Sequence, residues 1–151
     1  MLPARDILKV SSNIGVAKIG LELGVQKYHA YLTRLGFGAK TGLPLAGENK
    51  GIVHPVRQWS EVDLASASFG QSFSATILQM AQAYLCLAND GVKKPLRLVV
   101  NEEKAHTPEE RIFSSEVMGQ VREMLRSAVE ETGGTGRRAR IAGLVVGGKT
   151  G

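Results

Sequence analysis

Two short segments at opposite ends of the sequence hold side chains suited to moving protons and gripping a carboxylate. Ser11-Ser12-Asn13 sets two hydroxyls and a carboxamide side by side. Lys149-Thr150-Gly151 puts a cation, a hydroxyl and a bare backbone directly after the apolar run Ile141 to Val146. At the edge of a strand, that set suits an extended ligand carrying a carboxylate. A third segment, Ser68-Phe69-Gly70-Gln71-Ser72, is a small-residue connection leading into a helix. Each has a plainer explanation. Serine and asparagine oxygens ahead of a helix accept its first free amide hydrogens, so Ser11-Ser12-Asn13 serves as an N-cap with no chemistry at all. The third segment serves equally as a tight turn. Lys-Thr-Gly is a weak signal alone, because it recurs at Lys40-Thr41-Gly42, where it follows a helix end and reads as a turn.

The elements that must position these residues are mostly helical. Asn13 to Leu23 reads as a helix, with Ile14, Ala17 and Leu21 on one face and Lys18 and Glu22 spaced to pair on the other. After Gly24, Val25, Tyr28, Leu32 and Leu35 outline a second helix that Gly36 closes. From Gly36 to Val56 the chain is rich in Gly and Pro without periodicity, an irregular but ordered connection. Trp59 to Ala67 suits a short helix capped by Ser60. Thr76 to Asn89 reads as a helix whose apolar face is Ile77, Ala81, Tyr84 and Ala88, with Gly91 past its end. Leu96, Leu98 and Val100 alternate as in a strand. Ser114 or Ser115 caps a last helix carrying Val117, Met118, Val121, Met124, Leu125 and Ala128, and Gly133-Gly134 stops it. Ile141 to Val146 is β-branched and apolar, so a strand is expected there too. No internal repeat is present.

Composition narrows the field. With 151 residues and 43% hydrophobic content, the chain supports one domain with a core. No run of about 18 apolar residues exists to span a membrane. The net charge is +5, but the basic residues are dispersed apart from Arg137-Arg138-Ala139-Arg140. With few aromatics near that cluster to stack on bases, no nucleic-acid partner is expected. The single cysteine, Cys86, excludes an intrachain disulfide and lies in an apolar helical run, where a buried, inert thiol is the default. His29, His54 and His106 are scattered, so neither a metal site nor an organic cofactor is expected.

Taken together and in order, these features resemble the transpeptidase domain of the class B penicillin-binding proteins. That superfamily carries three signatures: Ser-x-x-Lys, a Ser-x-Asn type motif and Lys-Thr-Gly. Ser11-Ser12-Asn13 matches the second and Lys149-Thr150-Gly151 the third. The likeness runs through the chain and is similar to the cell-division branch. It includes Ser11 to Lys18, Gly47-Glu48-Asn49-Lys50-Gly51, Trp59-Ser60, and Phe69-Gly70-Gln71 followed by Thr76 and Leu78-Gln79. Gly133-Gly134-Thr135-Gly136, ahead of the final apolar run, fits as well. Ile77 stands where relatives commonly have proline.

The resemblance implies a fold class of α+β, mainly helical: a fragment of the penicillin-binding protein and serine β-lactamase-like fold, comprising the helical lobe plus one or two strands. It implies acyl transfer in septal peptidoglycan synthesis, where a serine attacks D-alanyl-D-alanine and a second stem peptide resolves the acyl-enzyme. β-Lactams acylate the same serine. By the same resemblance Ser11 relays a proton to the leaving amine and Asn13 bonds the substrate amide. Lys149 supplies positive field, Thr150 binds the terminal carboxylate, and Gly151 lets the substrate backbone lie close. The parent protein is expected to be anchored in the bacterial inner membrane, with this domain on the periplasmic side beside divisome membrane proteins.

No lysine in the sequence has a serine three places before it, so the Ser-x-x-Lys nucleophile is not in this chain. Residues 1–151 are therefore expected to be a partial transpeptidase domain, lacking the Ser-x-x-Lys region and the strands that follow Lys-Thr-Gly, and inactive alone. An alternative of another class is a non-catalytic β-lactam-sensing or docking module on the same scaffold. A serine β-lactamase relative fits less well, because Gly36 to Trp59 and the region after Phe69 look like the transpeptidases. An unpartnered strand at 141–146 would leave an apolar edge open to self-association or disorder.

Overall fold

A computed structural model describes residues 2–99 and 109–151. Its first helix, α1 (Ala4–Lys9), was not foreseen, although Pro3 precedes it, Asp6 lies in its first turn and Lys9 in its last. Then follow α2 (Asn13–Leu23) and α3 (Val25–Leu35), separated by Gly24 at φ 82° and ended by Gly36 at φ 103°. The ends of both match the sequence reading. The left-handed backbone at Gly36 ends α3 as a glycine cap does.

Next come α4 (Glu61–Ala67) and α5 (Ile77–Ala88), each opened by a capping box. Ser60 pairs reciprocally with Asp63, and Thr76 with Gln79. A two-residue antiparallel ladder joins β1 (Val92–Lys93) to β2 (Glu110–Arg111), with Val92 opposite Arg111. α6 (Ser115–Glu130) is capped by Ser114. The result is α+β and mainly helical, as expected.

The core forms where α1 packs on α6 and α2 on α4. Ile7, Leu64, Ala67, Cys86, Met118, Ala128 and Val129 are all buried. Gly20, the one buried residue of α2, lets α4 approach closely, because a methyl there would collide with Ser68. Burial pushes the Cys86 thiol above its ordinary range, in keeping with an inert side chain.

Three expectations need correction. The apolar face of α5, Ile77, Ala81, Tyr84 and Ala88, is the outer one: Ile77 is 88% exposed, whereas Gln79, Gln82 and Cys86 point inward. Polar side chains won that face because they are satisfied there. Gln79 Nε2 donates to Ala39 O at 2.7 Å and to Lys50 O at 2.8 Å, while its Oε1 accepts from Thr76 N at 2.9 Å. The irregular connection from Gly36 to Val56 is pinned to α5 by these bonds and to the segment just before α5 by the Ile52–Ser74 bridge.

The second correction concerns Leu96 to Val100. Residues 96–99 join no sheet, and Val100 lies outside the described residues. Pro95 has no amide hydrogen to give a ladder, and pairing stops at Lys93.

The third is Ile141 to Val146, which forms no strand. Gly143 sits at φ 80°, and Leu144 N turns back to Ile141 O at 3.1 Å. A strand needs neighbouring ladder partners, and none of the described residues lies alongside to supply them. Without a strand, the segment also lacks the edge on which the expected self-association was built, although Leu144 and Val145 are exposed.

Candidate functional site

The turn between α1 and α2 decides what each serine does. Val10 N closes α1 on Asp6 O, and Ser12 N bonds Ile7 O at 3.0 Å. Ser12 then takes the helix cap: its Oγ accepts from Gly15 N at 3.1 Å. Ser11 occupies the left-handed region at φ 56°, a conformation costing about 1 kcal/mol for a residue with a Cβ. That backbone keeps its hydroxyl off the helix end. The cap reading of Ser11-Ser12-Asn13 is thus correct for Ser12 and does not describe Ser11.

Ser11 Oγ instead meets the far end of the sequence. Lys149 Nζ donates to it at 2.6 Å and to Thr150 O at 2.5 Å. The segment bearing Lys149 is held on α6 through its amides: Gly148 N donates to the Leu125 carbonyl at 3.1 Å, and Val146 N to the Glu130 side chain, at Oε1, at 3.2 Å. Gly147 lies against the backbone of Leu125 and Arg126. Partial burial lowers the Lys149 pKa, since desolvation disfavours the ammonium.

Thr150 Oγ1 lies 3.0 Å from Thr135 Oγ1. Gly151 is exposed, with nothing near the position a side chain would take. Asn13, the first residue of α2, is exposed and makes no side-chain hydrogen bond to another described residue. The structure therefore brings Lys149 to Ser11 directly, with Thr150 beside it in the chain, and leaves Asn13 exposed one residue after Ser12.

Other residues around this site escaped the sequence reading. Thr135 N donates to Lys9 O at 3.2 Å, tying the end of α1 to the segment after α6. Glu131 clasps α1 from the same side, accepting from Lys9 Nζ at 2.9 Å and from Arg5. The signal for Thr135 was present: a single hydroxyl among glycines in Gly133-Gly134-Thr135-Gly136. Gly134 and Gly136 fit closely on the backbone of Ala128, and Gly136 N donates to Ala128 O at 2.9 Å.

The remaining candidates resolve as local structure. Ser68 to Gln71 continues the end of α4, with Gly70 N on Ala67 O and Gln71 N on Ser66 O. At Lys40-Thr41-Gly42, Glu48 Oε1 accepts from Thr41 N at 2.7 Å and Thr41 Oγ1 at 2.5 Å, and Gly42 sits at φ 84°; the turn expected here lies earlier, at residues 36–38, and these three residues are irregular backbone held by Glu48. Among the described residues no three His, Cys, Asp or Glu side chains gather as a metal site. His106 lies outside the described residues. Within the basic cluster, Arg140 bonds Glu130.

Comparison with known proteins gives one answer. The chain is 36% identical to the penicillin-binding protein PbpB of Mycobacterium tuberculosis over 93% of its length and 23% of the relative's. It is 35% identical to a probable peptidoglycan D,D-transpeptidase, PenA of Neisseria gonorrhoeae, over 99% of its length and 25% of the relative's. The chain thus spans about a quarter of the length of these relatives. Among solved structures it overlays the transpeptidase domain of Burkholderia pseudomallei penicillin-binding protein 3 with a TM-score of 0.91 and 30% identity, covering 98% of this chain and 44% of that one. The aztreonam complex of penicillin-binding protein 3 from the tuberculosis organism matches with a TM-score of 0.83 and 32% identity, covering 91% of this chain and 34% of the other. The family model for the penicillin binding protein transpeptidase domain matches residues 1–151, and the chain belongs to that family.

Proposed function

We propose that these residues form the proton-transfer and carboxylate-binding side of a serine D,D-transpeptidase that cross-links peptidoglycan stem peptides during septal wall synthesis. The observation that carries this reading is the 2.6 Å bond from Lys149 Nζ to Ser11 Oγ, made between the two family motifs. A lysine ammonium has only donors, so Ser11 accepts with a lone pair and keeps its own proton for another partner. In acyl transfer that partner is the leaving amine. As the carbon–nitrogen bond breaks, the amine takes the Ser11 proton and Ser11 takes one from Lys149, leaving Lys149 neutral. Partial burial already disfavours the Lys149 ammonium, which makes it a better acid for this step.

In this reading Asn13 hydrogen-bonds the substrate amide, Thr150 meets the terminal carboxylate and Gly151 leaves room for the substrate backbone. The nucleophile is a serine outside residues 1–151, and the 151-residue chain does not acylate by itself. The working protein is anchored in the cytoplasmic membrane, faces the cell wall and meets divisome proteins. No described helix here is long and apolar enough to cross a membrane.

Fluorescent penicillin added to the 151-residue chain and to the full-length product of its gene, followed by a denaturing gel, tests the reading. Labelling of the longer protein alone is expected, with Ser11→Ala and Lys149→Met each slowing it about a hundredfold or more, the usual worth of a positioned proton donor. Labelling of the 151-residue chain, or variants that react as fast as the unaltered protein, would sink it. If neither protein labels, a degenerate or docking module on the same scaffold is the better description.

A further inference from the structure

The Thr150 hydroxyl can donate to a carboxylate only if its single proton points away from the protein, and the structure contains a group that decides this. Thr135 Oγ1 lies 3.0 Å from Thr150 Oγ1 and 3.4 Å from Lys9 O. Two hydroxyls hold two protons, so two arrangements are open. In one, Thr135 donates to Lys9 O and Thr150 donates to Thr135. Thr150 then presents only lone pairs outward, which repel a carboxylate. In the other, Thr135 donates to Thr150 Oγ1, and the Thr150 proton is turned outward.

Geometry separates them. The 3.0 Å contact with Thr150 belongs to both, but the first also needs a bond from Thr135 to Lys9 O, and an oxygen separation of 3.4 Å is long for a hydroxyl donor. Lys9 O does not need the hydroxyl, since it already accepts from Thr135 N at 3.2 Å. The placement of Thr135 is rigid, because Gly134 and Gly136 press their backbones onto Ala128 and the Thr135 amide is fixed to α1. We infer that Thr135 is a positioning residue: its hydroxyl donates to Thr150 Oγ1 and turns the Thr150 proton toward the ligand carboxylate. A hydroxyl that accepts one hydrogen bond is also a stronger donor of the next, so the relay sharpens the carboxylate contact. The inference rests on the reading of Thr150 as the carboxylate contact.

The test is the ratio of acylation rates for benzylpenicillin and its methyl ester, measured on the full-length gene product. Thr135→Val, which keeps the shape and removes the hydroxyl, is expected to slow the free acid about tenfold, the scale of one such hydrogen bond. The ester should change less than about twofold, since it has no anionic carboxylate to receive the proton. Thr135→Ser should restore the acid. Should Thr135→Val not fold, Thr135→Ala read against Thr135→Ser gives the same comparison. Equal slowing of acid and ester means Thr135 acts only in packing and overturns the inference. So does an unchanged ratio in Thr135→Val when Thr150→Val lowers it, an outcome that leaves Thr150's role standing. If Thr150→Val also leaves the ratio unchanged, or the unaltered protein reacts with neither compound, the underlying reading fails and the role of Thr135 fails with it.

Discussion

Glu131, just past the end of α6, accepts a hydrogen bond from Lys9 Nζ at 2.9 Å, and Lys9 is the last residue of α1. Arg5, one turn earlier on α1, reaches the same carboxylate. The pair of cations fixes the helix that leads into Ser11 against the helix that carries the Lys149 segment.

This clasp gives the protein a definite acid response. The Lys9 hydrogen bond, with the Arg5 charge beside it, holds the Glu131 carboxyl below its ordinary 4.5. A carboxylate depressed in the folded state adds stability above its ordinary value and loses it as pH falls through the lowered one. Urea midpoints measured across the acid range should therefore fall less steeply for Glu131→Gln than for the unaltered chain. The two curves should be furthest apart near neutrality and converge in acid. Parallel curves would mean the clasp is not formed in solution.

Ser11 invites a comparison of glycine with alanine. Both substitutions remove the hydroxyl that receives Lys149, so their difference isolates the backbone at φ 56°. Glycine ordinarily costs more conformational entropy than alanine, yet here it is expected to be the more stable by up to about 1 kcal/mol, because it relieves the left-handed strain. Both should lose acylation in the full-length protein. Thermal melts in which Ser11→Ala equals or exceeds Ser11→Gly would show that the turn is unstrained.

Gln79 offers the largest stability effect away from the site. Its amide uses both N–H donors and its oxygen on the Ala39 carbonyl, the Lys50 carbonyl and the Thr76 amide. Gln79→Leu removes all three bonds from a fully buried position and should cost about 1–3 kcal/mol. Faster limited proteolysis between residues 39 and 51 should accompany the loss in urea titration. A variant that loses stability without exposing that loop would assign the effect to packing alone.

Much of this architecture was legible in the sequence. The ends of α2 and α3 followed from Gly24 and Gly36, and the starts of α4 and α6 from Ser60 and from the Ser114-Ser115 pair, because caps satisfy local amides and leave a local signature; α5 followed from its apolar spacing, without its Thr76 cap. The pairing of Ser11 with Lys149 was suggested only through the family motifs, since nothing local links residues so far apart. The inward face of α5 was misread because Gln79 and Gln82 are buried for hydrogen bonds, which periodicity of apolar residues does not register. Ile141 to Val146 forms no strand because β propensity describes a residue's fit to a sheet, and none of the described residues lies alongside this segment, which Gly143 turns at φ 80°, to supply one. Thr135 went unassigned because its partners, Lys9 and Thr150, come from distant parts of the chain.

The capping of α2 by Ser12 bears on how this chain can change over generations. Since the neighbouring serine meets the helix's need for an acceptor, the Ser11 hydroxyl has no duty in holding the fold together at that point. Under the proton-transfer role proposed for Ser11, changes at Ser12 are therefore seen by selection mainly through folding, and changes at Ser11 mainly through chemistry. Two adjacent residues of one type then answer to separate pressures, and a lineage can alter the Ser11–Lys149 contact without first surrendering the helix that follows it.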